Sequence, residues 1–315
     1  MLAPIVLFTY NRPWHVRETV VALRRNTLAG ESDLIVFSDG PRVTGDLAKD
    51  ARTQAYVAEV RQYLRTIDGF ASTTIIERDR NIGLGQNLID GITRMVNERG
   101  RLIVLEDDLV TSPWFLQFMN DGLEQYQDDD RVAAIHGSSY FGGRGLPETF
   151  FIKGTDCLGW ATWQRAWRRF EPDGRKLLEQ LRARGLEREF DWDGAYDYIG
   201  LLEAQIAGTV SSWAVRWYAS AFLEDCYSLF PNRSLVRHIG NDGSGTHYQA
   251  RDDRDPLNVA LTERPIRVER IPVEPDPRVN REYQRFLRSG QSGLNRFRRT
   301  VVRIIRKLVR KATPT

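Results

Sequence analysis

The chain has 315 residues, 41% of them hydrophobic, which is enough for one large domain or two small ones with a substantial core. Its two cysteines are too few for a disulfide framework, and this favours a reduced, cytoplasmic setting. The net charge of +3 conceals ten basic residues and no acids from position 285 to the end, so the rest of the chain is acidic. An acidic body argues against nucleic-acid binding.

Strand and helix patterns alternate over the first 140 residues. The apolar runs that predict strands lie at 5–9, 34–38, 74–77, 101–106 and 132–137. The helical patterns between them lie at 13–27, 47–65 and 86–97. This alternation predicts an α/β fold in which a mostly parallel sheet is flanked by helices.

The pattern changes after about residue 138. The segments that read as helical and rich in aromatic residues lie at 160–170, 195–208 and 213–225. Residues 254–277 hold five of the thirteen prolines, so we expect the stretch 251–291 to be extended and to wrap around the body.

Residues 292–315 predict a basic amphipathic helix. Its apolar positions recur at steps of three and four residues, and they are Leu294, Phe297, Val301, Ile305, Leu308 and Ala312. Four arginines take the opposite side: Arg299, Arg303, Arg306 and Arg310. The pattern favours an anionic membrane surface, and the alternative is a helix packed on its own domain or on a partner. No apolar run is long enough to span a bilayer, and the start of the chain lacks the basic residues of a signal peptide.

The predicted strand at 101–106 runs directly into three acids, Glu106, Asp107 and Asp108. Carboxylates at the end of a buried strand are costly unless something compensates them, and ligands bind at this edge of open α/β sheets. A divalent cation such as Mn²⁺ or Mg²⁺ prefers oxygen ligands of this kind and could hold a diphosphate. The alternative is an acidic turn.

Other predicted strands also end in polar residues. Thr9, Tyr10, Asn11 and Arg12 follow the first strand and open a helix, which offers N–H groups to an anion. Asp39 follows the second strand. Asn81 and Gly83 follow the third, in a glycine-containing loop that lacks the third glycine of a dinucleotide site, and this excludes a nicotinamide enzyme.

Residues 8–13, 38–40, 80–84 and 105–108 resemble, in order and spacing, the motifs of bacterial family-2-like nucleotide-diphospho-sugar transferases with a GT-A fold. They are distantly similar to the N-acetylglucosaminyltransferase I group, and the resemblance covers residues 3–250. It implies that the nucleotide-sugar would be held by Thr9, Tyr10, Asn11, Arg12, Asp39, Asn81, Gly83, Glu106 and Asp107. It also implies that Asp108 would bind Mn²⁺ or Mg²⁺.

The second half continues the resemblance. Gly159 to Trp163 is similar to the acceptor-side segment, so Trp160 and Trp213 are predicted to stack on the acceptor, with core packing as the alternative. Arg216 would neutralise the diphosphate or pair with a structural carboxylate. The glycine-rich run 240–247 would close over phosphates, with Ser244 touching the donor and His247 completing the metal shell.

An inverting transfer needs a carboxylate that takes the proton of the acceptor hydroxyl. Related enzymes often carry an Asp within a Trp-x-x-Trp or Trp-x-x-x-Trp segment, but the residues that follow Trp213 here, 214–217, include no acid. The candidates are Asp193, Asp197, Glu224, Asp225 and Asp242, and we prefer Asp193 and Glu224. A catalytically impaired member of the family is the alternative.

These observations predict a metal-dependent glycosyltransferase that moves a hexosyl or N-acetylhexosaminyl group from a UDP-sugar to a glycan or lipid-linked acceptor, with inversion. It would work at the inner face of the membrane. The predicted regions are a nucleotide-sugar half (1–140), an acceptor half (141–250), the wrap (251–291) and the basic helix (292–315). One rival is a sugar-1-phosphate nucleotidyltransferase. Those enzymes carry a glycine-rich loop after the first strand, and residues 8–12 of this chain contain no glycine, which disfavours this rival. The other rival is a non-catalytic binding protein.

Overall fold

The computed structural model describes residues 1–143, 145–242 and 259–289. The strands are β1 (Ile5–Thr9), β2 (Asp33–Ser38), β3 (Ser72–Glu77), β4 (Arg101–Glu106), β5 (Leu109–Thr111), β6 (Val132–His136), β7 (Thr149–Lys153), β8 (Trp160–Trp163), β9 (Tyr227–Pro231) and β10 (Val236–His238). The helices are α1 (Pro13–Arg24), α2 (Leu47–Leu64), α3 (Leu84–Arg99), α4 (Phe115–Gln125), α5 (Gln164–Trp167), α6 (Gly174–Ala183), α7 (Glu187–Phe190), α8 (Tyr198–Ile206), α9 (Ala214–Leu223) and α10 (Pro277–Ser289).

Eight of these strands form one sheet, in the order β3-β2-β1-β4-β8-β6-β9-β7. Neighbours pair in parallel from β3 to β4 and between β6 and β9, whereas β8 and β7 run antiparallel to their neighbours. Six of the eight strands therefore point the same way, and the predicted α/β class with a mostly parallel sheet is confirmed. The end of the sheet at which those six strands finish is called the carboxyl edge below.

The central strands are buried on both faces. Every residue of β1 is buried, and so are Leu102 to Leu105 of β4, as expected of parallel strands covered by helices. Phe8 stacks on Phe37 of β2 at a ring distance of 5.4 Å, and α3 closes over this pair at Gly91, where a side chain would collide with Phe8. The strand ends are thereby fixed relative to one another, and this positions the side chains that follow them.

The prediction of a helix over 160–170 is wrong in its first part. Trp160 to Trp163 form β8, which lies in the sheet between β4 and β6, and only Gln164 to Trp167 are helical. Pairing decides the outcome, because β8 hydrogen-bonds to strands on both sides and its aromatic residues suit a strand. The predicted helices at 195–208 and 213–225 are confirmed as α8 and α9.

Residues 259–276 of the wrap contain no helix, and one isolated bridge joins Pro275 to Phe151 of β7. Tyr126 donates its hydroxyl proton to the carbonyl of Glu269 and accepts from the N–H of Ile271, which ties the segment to the end of α4. From Pro277 onward the prediction of an extended chain is wrong, because residues 277–289 form α10. Proline is favoured at the first position of a helix, and α10 buries Val279 and Leu287.

The predicted basic helix at 292–315 lies outside the described residues. Within the described ranges, no helix has both the length and the apolar character needed to cross a bilayer.

Candidate functional site

Asp39 lies at the carboxyl edge and organises the turn that follows β3. Its buried carboxylate accepts hydrogen bonds from the N–H groups of Gly40 (2.9 Å), Ile82 (3.1 Å) and Gly83 (3.2 Å), and from Nδ2 of Asn81 (2.8 Å). Asp39, Asn81 and Gly83, three of the residues that were predicted to hold the nucleotide-sugar, are thus brought together. These four donors belong to the protein, so the described role of the Asp39 carboxylate is to position the 81–83 turn.

Gly40 explains why this turn can lie so close to β2. A side chain at Gly40 would collide with the backbone of Arg80. The turn ends at Gly83, which has a φ of 83° and lies at the start of α3, a conformation that glycine adopts without strain. The first turn of α3 therefore begins beside Asp39, at the same edge as the end of β1.

Asp107 and Asp108 are buried beside Arg12, the last residue before α1. Nη2 of Arg12 donates to Oδ1 of Asp107, and Nη1 lies 2.9 Å from Oδ2 of Asp108. Asp107 also accepts the N–H of Tyr10 at 3.3 Å. The end of β1 and the end of β4 are thus joined by one guanidinium that bridges two carboxylates.

His238 completes this cluster and was not predicted. Nε2 of His238 lies 3.2 Å from Oδ2 of Asp108. The contact follows from the antiparallel pairing of β10 with β5, which places His238 opposite Leu109, the residue after Asp108. Nothing in the local sequence indicates this pairing. The predicted metal ligand was His247, because it lies in the nearby glycine-rich run.

The three acids differ in their electrostatic surroundings. Burial, followed by the charges of Asp108 and Asp107, raises the pKa of Glu106 to about 8. Burial also raises the pKa of Asp107 despite the opposing effect of Arg12. Burial acts in the same direction on Asp108, but the hydrogen bond from His238 and the charge of Arg12 outweigh it and hold the pKa of Asp108 well below its usual range. Asp108 is therefore the most firmly ionised acid of the three.

The donor set at Asp108 suits a divalent cation that also has ligands from elsewhere. A carboxylate oxygen and an imidazole nitrogen converge here, and both are accepted ligands of Mn²⁺. No group of three or more His, Cys, Asp or Glu residues that could hold a metal ion occurs in residues 1–143, 145–242 and 259–289. Asp108 and His238 would thus supply part of a shell, to be completed by phosphate and water oxygens.

Thr9, Tyr10 and Asn11 form the turn between β1 and Arg12. Thr9 is buried, and its hydroxyl finds no hydrogen-bond partner among the described residues. The hydroxyl of Tyr10 accepts the N–H of Arg42 at 3.3 Å, while Asn11 is partly exposed. All three directly precede Arg12 in the chain, and their contact with a nucleoside stays a prediction.

Trp160 and Trp213 are core residues in this structure. Trp160 has 0% and Trp213 has 4% of its surface exposed, and their rings lie 5.9 Å apart in a cluster with Trp167 and Trp217. Covered faces cannot stack on an acceptor sugar, so the geometry supports packing, which was the alternative. Arg216 uses its guanidinium in a backbone contact, because its Nη1 donates to the carbonyl of Pro172 at 2.9 Å.

The two preferred bases also lie elsewhere. Glu224 is exposed and ends α9 three residues before β9 begins, so it lies at the edge opposite the acid cluster. Asp193 is exposed and pairs with Arg188 at 2.9 Å. Neither carboxylate is brought to the acids by the structure. Among the weaker candidates, Asp197 caps α8, Asp225 pairs with Lys153 at the opposite edge, and Asp242 lies 3.4 Å from His15. Ser244 and His247 lie outside the described residues.

Similarity to known proteins is found among solved structures. No protein-family model and no curated protein matches the sequence. The solved structures that it resembles include Staphylococcus aureus TarS, at 15% identity and a TM-score of 0.31 over 47% of this chain and 23% of TarS. TarS 1–349 in complex with UDP-GlcNAc gives 16% identity and a TM-score of 0.30 over 47% of this chain and 37% of the other. The chain thus spans less than half of each, and TM-scores this low carry no functional assignment.

Proposed function

We propose that the protein is a metal-dependent glycosyltransferase with a GT-A-like fold. It transfers a sugar from a nucleoside diphosphate donor, a UDP-sugar, to a glycan or lipid-linked acceptor, with inversion at the anomeric carbon. The donor's nucleoside lies against the turn at Thr9 to Asn11 and the Asp39 turn, and its diphosphate lies at Arg12 and Asp108.

One observation carries the proposal. Arg12, Asp107, Asp108 and His238 come from three separate segments and meet at the carboxyl edge, next to the Asp39 turn. Ligands of open α/β sheets bind at this edge. A cluster that combines a cation with an ionised carboxylate and an imidazole suits an anionic ligand held through a metal ion. The motif order, read from the sequence, supports a nucleotide-sugar as that ligand.

The residues would act mainly on the leaving group. As the acceptor oxygen bonds to the anomeric carbon, the bond from that carbon to the phosphate oxygen breaks, and negative charge grows on the diphosphate. Asp108 and His238 would hold Mn²⁺ or Mg²⁺, which when bound supplies positive charge to the diphosphate. Arg12 would turn from Asp108 toward the phosphate oxygens, while Asp107 keeps its contact with the backbone of Tyr10 and faces the ribose or donor sugar.

A non-catalytic nucleotide-sugar-binding protein is the second candidate. The absence of an acid at residues 214–217 favours it, because related enzymes often carry an Asp within this segment. A sugar-1-phosphate nucleotidyltransferase is disfavoured, since the turn after β1 contains no glycine.

The experiment combines binding with turnover. The melting temperature would be measured with a panel of nucleotide-sugars, with and without Mn²⁺, and release of nucleoside diphosphate would be followed for every donor that stabilises the protein. A glycosyltransferase gives Mn²⁺-dependent stabilisation and slow donor hydrolysis. Binding with no turnover supports the second candidate, and release of pyrophosphate from a nucleoside triphosphate in the presence of a sugar-1-phosphate would indicate the nucleotidyltransferase.

We also propose that the basic segment 292–315 holds the enzyme at the inner face of the membrane, where lipid-linked acceptors are made. Its sequence supports this, because each basic residue near an anionic surface contributes on the order of 1 kcal/mol. The full chain should sediment with vesicles that contain anionic lipid, and a chain truncated after Arg288 should not. Equal sedimentation of both would refute the placement.

A further inference from the structure

The structure leaves a gap where an acceptor base is expected. The turn before α9 lies beside the first turn of α3, since Trp213 approaches to 3.5 Å of the position that a side chain on Gly85 would take. The turn is thus near the donor side of the carboxyl edge, yet residues 211–218 contain no acid. A transfer that needs proton removal has to draw its carboxylate from another segment.

The segment between β7 and β8, residues 154–159, is called the strap below. It leaves β7 at the opposite edge, where the N–H of Gly154 bonds to the carbonyl of Cys226. It reaches the carboxyl edge at Gly159, whose carbonyl accepts the N–H of Gly137, just before β8 pairs with the end of β4. The strap therefore enters the site from the side opposite the nucleotide half.

Asp156 is held on this strap by a buried histidine. Its N–H donates to Nε2 of His136 at 3.1 Å, which places the ring proton on Nδ1. His136 is stacked between Trp160 and Phe230, and burial lowers its pKa to about 3, so it stays neutral. A neutral, clamped imidazole fixes the backbone of the strap at Asp156 without adding a charge.

The carboxylate of Asp156 has the properties of a proton acceptor. Oδ1 accepts the N–H of Cys157 at 2.7 Å, and no Lys or Arg in residues 1–143, 145–242 and 259–289 pairs with it. Asp156 as a whole residue is partly exposed, as are Cys157 and Leu158 beside it. Burial of the carboxyl group raises the pKa of Asp156, and this makes its ionised form a stronger base than an ordinary Asp carboxylate.

The strap passes close to the acid cluster. A side chain on Gly159 would come within 3.5 Å of Leu105, the residue before Glu106. The thiol of Cys157, the residue after Asp156, has its pKa raised by burial, and then by the charges of Asp156, Glu106 and Asp108. Of the other carboxylates nearby, Asp39 is engaged by four donors, Asp107 and Asp108 by Arg12, and Asp242 by His15, so Glu106 is the remaining rival.

We propose that Asp156 is the general base of the transfer and that it replaces the acid absent at residues 214–217. This assignment rests on the proposed function. In the step, the acceptor oxygen forms its bond to the anomeric carbon and its proton passes to the Asp156 carboxylate. The bond between the anomeric carbon and the phosphate oxygen breaks, and its electron pair leaves with the diphosphate.

The test uses a nucleophile that has no proton to lose. UDP-glucose and UDP-N-acetylglucosamine would be the probes, with water or azide as the acceptor and Mn²⁺ present. Asp156→Asn should slow donor hydrolysis by about 10²–10⁴-fold, the usual contribution of a general base, while UDP still raises the melting temperature as in the wild type. Azide should restore sugar release by the variant as glycosyl azide. Asp130→Asn, at the opposite edge, is the matched control and should hydrolyse the donor normally.

Each outcome decides between the two proposals. Wild-type protein that neither binds nor hydrolyses any UDP-sugar overturns the proposed function and this assignment with it. Wild-type turnover with an Asp156→Asn rate within twofold overturns the assignment alone. If Asp156→Asn is slow and azide does not rescue it, the role of Asp156 is structural and the assignment is overturned. If azide instead rescues Glu106→Gln, the general base is Glu106. If Asp156→Asn fails to fold, Asp156→Glu keeps a carboxylate and should retain measurable hydrolysis, whereas its complete loss overturns the assignment.

Discussion

Nη1 of Arg12 lies 2.9 Å from Oδ2 of Asp108, so the guanidinium contacts the same carboxylate oxygen that faces His238. The Arg12 side chain is 16% exposed and that of Asp108 is 10% exposed, so solvent does little to screen this pair. Arg12 therefore neutralises the acids in the place where a bound cation would do so. A divalent ion bound at this place would therefore compete with Arg12 for Asp108.

Arg12→Ala should make the stability of the protein depend on a divalent cation. Removing one partner of a buried pair costs about 3–5 kcal/mol, because Asp107 and Asp108 are left without a compensating charge. Mn²⁺ should restore much of this loss, and it should stabilise the variant more than the wild type, in which Arg12 has to be displaced. The measurement is the free energy of unfolding in urea, with EDTA and with Mn²⁺.

Arg17→Ala is the matched control for this prediction. Arg17 lies on α1 and pairs with Glu59 at 3.5 Å on the surface, where both side chains are about half exposed. Exposed pairs contribute about 0–1 kcal/mol, so the control should unfold much like the wild type with or without the ion. Equal stabilisation of all three proteins by Mn²⁺ would contradict the competition at Asp108.

Asp108→Asn should remove most of the metal-dependent turnover. The substitution keeps the size of the side chain but removes the charge that would hold the cation, and loss of one electrostatic contact to a developing charge costs about 10²–10³-fold in rate. His238→Gln should lower the affinity for Mn²⁺ as well. Asp33→Asn, at the start of β2 and so at the opposite edge, should leave Mn²⁺ titrations of donor hydrolysis unchanged. Full activity of Asp108→Asn would exclude the proposed metal site.

Strands with a clear local apolar pattern could be predicted from the sequence. Elements whose type depends on pairing with strands distant in the sequence could not. The apolar run that forms β1 is observed at Ile5–Thr9, as expected, and β4 likewise begins at Arg101 and ends at Glu106. β8 was read as helix because its aromatic residues suit either state until β4 and β6 pair with it. Local pattern fixes the element type only where no long-range pairing competes.

The same limit applies to the site. A position within four residues after the end of a strand is shared by Arg12, Asp39, Asn81, Asp107 and Asp108, so their place at the carboxyl edge could be read from the chain. His238 reaches Asp108 only through the pairing of β10 with β5, and Asp156 reaches the edge on a connecting segment without any motif. The aromatic motifs misled the prediction of the acceptor site, because a tryptophan that can stack on a sugar can equally well pack in a core.

Glu106 should make the protein less stable as the pH rises. Because burial and its acidic neighbours raise its pKa from 4.5 to about 8, the folded protein keeps a proton that the unfolded chain releases between these values. The free energy of unfolding therefore falls as the pH rises through that interval. Glu106→Gln keeps the neutral form at every pH and should flatten the dependence, measured by urea unfolding in metal-free buffer. Glu98→Gln, whose side chain pairs with Arg94 on the surface of α3, should keep the wild-type slope. Identical slopes in all three proteins would show that Glu106 ionises normally.

Asp39→Ala should weaken nucleotide binding and stability together. The substitution leaves the N–H groups of Gly40, Ile82 and Gly83 without their acceptor, at about 1–3 kcal/mol for each group that stays buried. The 81–83 turn would then move, and the melting temperature and the affinity for UDP should both fall. Asp50→Ala is the control, since Asp50 holds a comparable turn at Thr44 and Gly45 on the exposed side of α2. It should lower stability less and leave UDP binding intact, and loss of binding in both variants would mean that the effect is not local.

Gly240→Ala should disturb the site without removing any functional group. A side chain at Gly240 would collide with Oδ2 of Asp108 and would lie 2.9 Å from Nε2 of His238. The carboxylate would have to move by a fraction of an ångström or more, and displacements near 1 Å can cost about 10²-fold in rate. Gly30→Ala is the matched control, because a side chain there meets nothing within 4 Å. Donor hydrolysis and Mn²⁺ affinity should fall in Gly240→Ala and not in Gly30→Ala, and equal activity of the two would show that the contact between Asp108 and His238 is not needed for turnover.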